Sequence, residues 1–161
     1  MSWRISEEFR ERLTTAVNKN DTVAVEIITK QYMALEGDCI EHWMWTNLST
    51  SALKNRCLPI VKLLLPPKSI ANVDVTTNFR LMQAAIKSDF VDGVKFLHTE
   101  GVPLEFVHEI SPYHWSALIE CVLNNSFEVL KYLLELKYLD TKPNNKDTLL
   151  MLCCHKLYIR S

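Results

Sequence analysis

The chain repeats itself, and this repetition constrains the fold more than any other feature of the sequence. Small residues recur with spacings of 36, 33 and 36 residues, at Ala16, Ala52, Ala85 and Cys121. A second column begins ten residues after the first small residue and keeps the same spacings, at Glu26, Lys62, Lys95 and Lys131. Two columns in one register indicate consecutive copies of a single structural unit.

Each copy contains two short helical patterns with a break between them. In the third copy these are Leu81 to Lys87 and Val91 to His98, separated by the turn formers Ser88 and Asp89. No stretch alternates with period two long enough to predict a real sheet. Because two short helices cannot cover their own apolar face, neighbouring copies must stack. We therefore predict an all-α solenoid of four helix-turn-helix repeats and a C-terminal partial repeat.

Composition agrees with one folded domain. The chain has 161 residues, of which 48% are hydrophobic and 23% charged, with a formal net charge of -1. This apolar content predicts a core and excludes disorder as the main state. The absence of a basic excess makes nucleic acid a poor candidate partner, and no apolar run approaches the roughly 20 residues of a membrane-spanning helix.

The N-terminus and the cysteines predict the compartment. Charged residues stand where a signal peptide would have its apolar segment, and five cysteines show no disulfide framework spacing. Reduced thiols are typical of the cytoplasm and nucleus, so we expect the protein in one or both.

The repeats resemble those of the ankyrin family, whose unit of about 33 residues starts its first helix with Thr-Pro-Leu-His-x-Ala. The segment from Ser116 to Glu135 is similar to a full ankyrin helix pair, and 147–154 to the start of another. The sequence from Glu100 to Leu104 matches the family turn after a second helix. The resemblance implies one ankyrin-repeat domain over 1–161. Its predicted parts are a cap extension 1–10, repeats 11–46, 47–79, 80–115 and 116–147, and the partial repeat 148–161.

The chain departs from the family pattern in three ways. The first-helix histidine is missing, there are only three glycines, and Pro66-Pro67 fall where the second helix of repeat two should finish. Because glycines usually end such helices, we expect an atypical and less stable array.

Catalytic motifs are missing from the sequence. There is no phosphate-binding glycine loop, no HExxH and no paired CxxC, and the neighbours Cys154 and His155 point about 100° apart on a helix. We therefore expect no enzyme activity, no cofactor and no metal site. An enzyme with an unrecognised site is the remaining, least favoured alternative.

The resemblance implies a protein partner bound on a concave face, made of the turn tips before each first helix and the exposed side of that helix. Predicted tip residues are rich in rings, which bury much area at little entropic cost. The candidate partner-binding residues are Trp43, Met44, Lys54, Phe79, Lys87, Tyr113, Trp115, Leu123 and Asn124. The alternative for each ring is packing between neighbouring turns. Lysines beside rings would suit an acidic or phosphorylated segment.

The overall prediction is a non-catalytic protein-binding module, either an adaptor or a regulatory subunit. Similarity to small stand-alone ankyrin proteins makes regulation of a cell-cycle protein kinase the first specific hypothesis. The rival is a viral or pathogen decoy that resembles an inhibitor of a host transcription factor. A further expectation is association through the apolar side chains of the partial repeat, or their use as a cap. These side chains are Leu152, Leu157, Tyr158 and Ile159.

Overall fold

Eight helices in four consecutive pairs make up most of the computed structural model, which describes residues 2–36, 42–65, 73–106 and 115–136. The pairs are α1 (Ser2–Asn18) with α2 (Thr22–Glu36), α3 (His42–Lys54) with α4 (Leu58–Leu64), α5 (Val75–Lys87) with α6 (Val91–Thr99), and α7 (Ala117–Asn124) with α8 (Phe127–Glu135). Each pair is a helix-turn-helix unit, so the predicted all-α solenoid is confirmed.

The pairs stack in two layers. The first helices α1, α3, α5 and α7 pack side by side in one layer, and the second helices α2, α4, α6 and α8 form the other. Contacts are more extensive in the first layer. The core lies between the layers, because each helix turns its apolar stripe toward its neighbours.

The column of small residues lies inside this core, as the register predicted. Ala16, Ala52, Ala85 and Cys121 are all at most 5% exposed. First helices approach one another closely only where side chains are short, which explains why this column is small in every repeat.

Every first helix ends in the same turn, although none of these turns contains glycine. The residue four positions after the small one has a positive φ, at Asn20, Arg56, Asp89 and Asn125. The next residue donates its N–H to the carbonyl of the small residue, as Phe90 does to Ala85 at 3.0 Å. This bond satisfies a carbonyl that the helix end would leave unpaired.

Side chains join consecutive repeats at these turns. Asn55 donates to the carbonyl of Val17 at 3.3 Å, and Ser88 occupies the corresponding position and donates to that of Leu53 at 3.1 Å. At the third junction the donor is Ser126, whose hydroxyl bonds the carbonyl of Ile86. Each repeat is therefore hydrogen-bonded to the one before it.

Glycine is required at one packed position in α6. A Cβ built on Gly93 would lie 2.5 Å from a ring carbon of Phe90 and 3.0 Å from a methyl carbon of Leu53. Gly93 therefore permits α6 to approach the preceding repeat.

Two very short strands precede α7, where the sequence predicted no real sheet. β1 (Glu105–Phe106) pairs antiparallel with β2 (Trp115–Ser116), so that Glu105 faces Ser116. The Ser116 hydroxyl then accepts the N–H of Ile119 at 3.3 Å and caps α7.

The chain ends contain two predicted features. Residues 2–10 belong to α1, where Phe9 is buried and its ring stacks on Tyr32 with centroids 4.0 Å apart. The partial repeat 148–161, including Leu152, Leu157, Tyr158 and Ile159, lies outside the described residues. The proposed domain and repeat boundaries stay predictions.

Candidate partner-binding surface

A stripe of side chains on each of three first helices faces away from the core. The positions are spaced i, i+3 and i+7 on α3 and α5 and four residues apart on α7, which places them on one side of each helix. We name these eight residues the first-helix face: Asn47, Thr50, Lys54, Arg80, Gln83, Lys87, Ile119 and Leu123. All are exposed or half-buried, whereas the small column and its apolar neighbours behind them are buried.

The first-helix face is cationic on α3 and α5. Lys54 lies on α3, and Arg80 and Lys87 lie two helical turns apart on α5. Two turns of a helix span about 10 Å, so Arg80 and Lys87 lie on the same side of α5 but about 10 Å apart along its axis. No acidic side chain belongs to the first-helix face itself.

One carboxylate lies beneath the face at the α5–α7 junction. Glu120 is 5% exposed and accepts hydrogen bonds from Gln83 Nε2 at 3.2 Å and from Asn124 Nδ2 at 2.9 Å. Lys87 Nζ is 3.8 Å from the same carboxylate. A buried carboxylate requires such donors, because its lost hydration would otherwise be uncompensated. The cluster thus holds Gln83 and Lys87 to α7.

The structure places three predicted site residues on this face. Lys54, Lys87 and Leu123 are all exposed, and they occupy equivalent positions in successive repeats. Asn124, also predicted, is half-buried and donates to the carbonyl and the carboxylate of Glu120. Its amide is therefore used inside the protein, where it supports the carboxylate. The binding roles of all four residues stay predictions.

The turn tip predicted before the first helix of the second repeat, at Trp43 and Met44, is not a turn. α3 begins at His42, so Trp43 and Met44 lie in its first turn. Met44 is 7% exposed and packs in the core, so its placement on an exposed tip was wrong. The side chain of Trp43 lies outside the described residues.

The turn tip predicted before the first helix of the third repeat, at Phe79, is also helical. Asp74 Oδ1 accepts the N–H of Thr77 at 3.0 Å, which caps α5 and starts it at Val75. No glycine or proline follows to interrupt the helix. Phe79 therefore lies within α5, half-buried against the core, and its placement on a turn tip was wrong.

The turn tip predicted before the first helix of the fourth repeat, at Tyr113 and Trp115, is only partly described. Tyr113 lies outside the described residues. The backbone of Trp115 pairs with Phe106 just before α7, and its side chain lies outside the described part. Their binding roles stay predictions.

Sequence reasoning missed Arg80, Gln83 and Glu120. Arg80 follows Asn47 by one repeat length and precedes Lys87 by seven residues, and this spacing is the signal that identifies it. Glu120 carried no such signal, because a glutamate between an isoleucine and a cysteine gives no indication of its donors on α5.

The second-helix layer contains an open groove of about 480 Å³ between α4 and α6. Lys62, Lys95, Asp92 and Glu100 line it together with Leu58 and Phe96. Lys62 Nζ is 6.0 Å from the centroid of the Phe96 ring, and Lys95 Nζ is 5.1 Å from that of Tyr132. These cation–π contacts join consecutive repeats on the side opposite the first-helix face.

Two features of the described residues concern metal binding and thiol chemistry. Among them no group of three His, Cys, Asp or Glu side chains is placed to hold a metal ion. Burial, followed by the nearby carboxylates of Asp89 and Glu120, raises the pKa of the Cys121 thiol to about 12. A thiol with this pKa is a poor nucleophile at neutral pH. None of the described helices is both long and apolar enough to cross a membrane.

Comparison with known proteins identifies the repeats. A family model described as ankyrin repeats, in three copies, matches residues 81–159. The matched region begins in α5 and includes α6, α7 and α8. No curated protein matches the chain.

Proposed function

Because this chain is an ankyrin-repeat protein, we propose that it binds another protein on the first-helix face. Ankyrin repeats are protein–protein interaction modules. The observation that supports this face is its continuity, since exposed partner-capable side chains occupy equivalent positions on α3, α5 and α7. Three helices packed 8–10 Å apart present a surface about 20 Å wide, which is enough for a partner segment.

The proposed action is non-catalytic. The protein would mask its partner, bridge it to another molecule or alter its conformation. The match of residues 81–159 to ankyrin repeats supports this proposal, because repeats of this family typically bind proteins and are non-catalytic.

The specific partner that we propose is a protein kinase of the cell cycle, in the cytoplasm or nucleus. The support is fold-level analogy with small ankyrin proteins that regulate such kinases. A transcription factor as partner would instead favour the decoy hypothesis.

Affinity purification with the full chain tests both the binding face and the identity of the partner. Lys54→Glu combined with Arg80→Glu reverses two exposed charges of the first-helix face, and Lys131→Glu, at an exposed residue of α8, is the control. We expect a partner retained by the wild type and the control but lost from the double variant. Equal retention by all three proteins would contradict binding on this face, and mass spectrometry of the retained protein tests the kinase hypothesis.

The predicted aromatic contacts require a second experiment. In the variants Trp43→Ala, Tyr113→Ala and Trp115→Ala we expect at least one loss of about 2 kcal/mol in binding free energy, with folding kept. Circular dichroism separates the two cases. If every variant that binds weakly is also unfolded, these rings are structural.

A further inference from the structure

The first-helix face changes its chemistry between α5 and α7. On α5 it presents Arg80, Gln83 and Lys87, whereas on α7 it presents Ile119 and Leu123. Leu123 is 51% exposed, and together with the half-buried Ile119 one helical turn earlier it forms a small apolar patch on this face. The face therefore has a cationic part and an apolar part, one helix spacing apart.

The positions equivalent to Leu123 stay exposed where a further repeat is described. Lys54 and Lys87 occupy the equivalent positions in the two preceding repeats, and both stay exposed although a further repeat packs after each of them. Thr50 and Gln83, the equivalents of Ile119, likewise stay half-buried. Leu123 and Ile119 thus occupy positions that lie at the surface in the two preceding repeats.

The cationic part keeps a net positive charge. Lys87 lies 3.8 Å from the Glu120 carboxylate, which offsets its charge. Within the described part of the chain, Lys54 and Arg80 have no ion pair. These two cations are consequently available to an anionic group at little desolvation cost, because both are exposed.

We propose that the first-helix face recognises a protein segment with an acidic side chain and an apolar side chain about 10 Å apart, the distance between packed helices. The acidic side chain lies against Arg80 on α5, and the apolar one covers Ile119 and Leu123 on the neighbouring α7. This inference rests on the proposed function and specifies the partner's chemistry. In an extended segment, side chains on one face are two or four residues apart, about 7 or 13 Å, and these spacings bracket the required distance.

Charge complementarity favours this segment over a simple polyanion. Nucleic acid or a purely acidic peptide would satisfy Arg80 and Lys54 but leave Leu123 against polar groups. An apolar side chain placed there shields the apolar surface of Ile119 and Leu123 from water, which favours binding. Both parts are used only when the partner combines the two side-chain types.

Selection from a displayed library of random 12-residue peptides tests the inference on the intact chain. We expect enriched peptides to combine Asp or Glu with Leu, Ile, Phe or Met at a recurrent spacing. Fluorescence polarisation with the synthetic peptides should show Kd raised about tenfold by Arg80→Gln and by Leu123→Gln. Lys131→Gln and Leu134→Gln, exposed on α8, are the matched controls and should leave Kd within about twofold.

A reversal of specificity provides the sharper test. Leu123→Lys gives α7 the residue that α3 and α5 already have at this position, so folding should be kept. The same library selected on this variant should replace the apolar residue with a second acidic one. Circular dichroism of every variant checks the fold.

The outcomes separate this inference from the proposed function. Peptides that bind without an acidic residue, or with Kd unchanged in Arg80→Gln and Leu123→Gln, overturn the inference, while partner capture by the intact protein still supports the function. Binding by polyaspartate or an oligonucleotide as tight as by the selected peptides also overturns it. A library that yields no binder, together with no captured partner, contradicts both.

Discussion

The carboxylate of Asp89 accepts the backbone N–H of Val129 at 3.0 Å, linking residues 40 positions apart. Its second oxygen accepts the N–H of Glu128 at 3.3 Å. Both donors belong to the first turn of α8, and the α8 N-cap residue Ser126 does not cap it with its side chain. Asp89 thus caps a helix of the following repeat while its own backbone forms the left-handed turn after α5.

Asp89→Ala should lower the free energy of unfolding by about 2–3 kcal/mol, since it removes the cap and places alanine at positive φ. Asp89→Gly removes the cap but tolerates that φ, so its loss should be smaller. Urea denaturation measures both variants. Equal losses would show that the backbone strain is negligible, and no loss in either would contradict the capping role.

Ser49 is 0% exposed, and its hydroxyl has no hydrogen-bond partner among the described residues. Large apolar side chains occupy the equivalent core position in the other repeats, at Leu13, Met82 and Leu118. Ser49→Ala should therefore raise stability by about 1 kcal/mol, because it removes an unpaired buried polar group. Thermal unfolding measures the change. A clear decrease in Tm would mean that the hydroxyl has a partner, such as a buried water.

Arg56 is at φ 56°, a conformation that asparagine adopts at lower cost, as Asn20 does in the preceding repeat. Arg56→Asn should raise the free energy of unfolding by about 0.5–1 kcal/mol. The reciprocal variant, Asn20→Arg, is the control and should lower it by a similar amount. If both variants unfold like the wild type in urea, the turn conformation does not limit stability.

Cys121 should resist alkylation in the folded protein, because burial raises its pKa to about 12 while the half-buried Cys57 is more accessible. Iodoacetamide labelling at pH 8, followed by peptide mass spectrometry, should modify Cys57 first and Cys121 only after denaturation. Rapid modification of Cys121 without denaturant would contradict its burial.

The same thiol gives a pH dependence. Its pKa rises from 9.0 to about 12 on folding, so between these values the folded state holds the proton more tightly than the unfolded state. Stability from this group is therefore complete below pH 9 and decreases as the pH rises toward 12. Cys121→Ala has the alanine that the other repeats have at this position. Between pH 8 and pH 10.5 the Tm of this variant should decrease less than the Tm of the wild type.

The repeat architecture could be predicted from the sequence because the same packing contacts recur in each repeat along the chain. Ala16, Ala52, Ala85 and Cys121 had to be small wherever first helices touch, and their burial confirms that register. The helix starts were not readable in the same way. The start of α5 depends on Asp74, which caps the helix by accepting the N–H of Thr77. This cap favours a helix where the family pattern predicts a turn.

The sequence by itself determined which residues share a column, since that follows from the spacing of the repeats. Only the tertiary structure decided which columns face outward and what lies beneath them. Glu120 is stabilised by Gln83, 37 residues away, and by Asn124 on its own helix. Such a cluster depends on the separation and rotation of two packed helices, and no local pattern specifies these quantities.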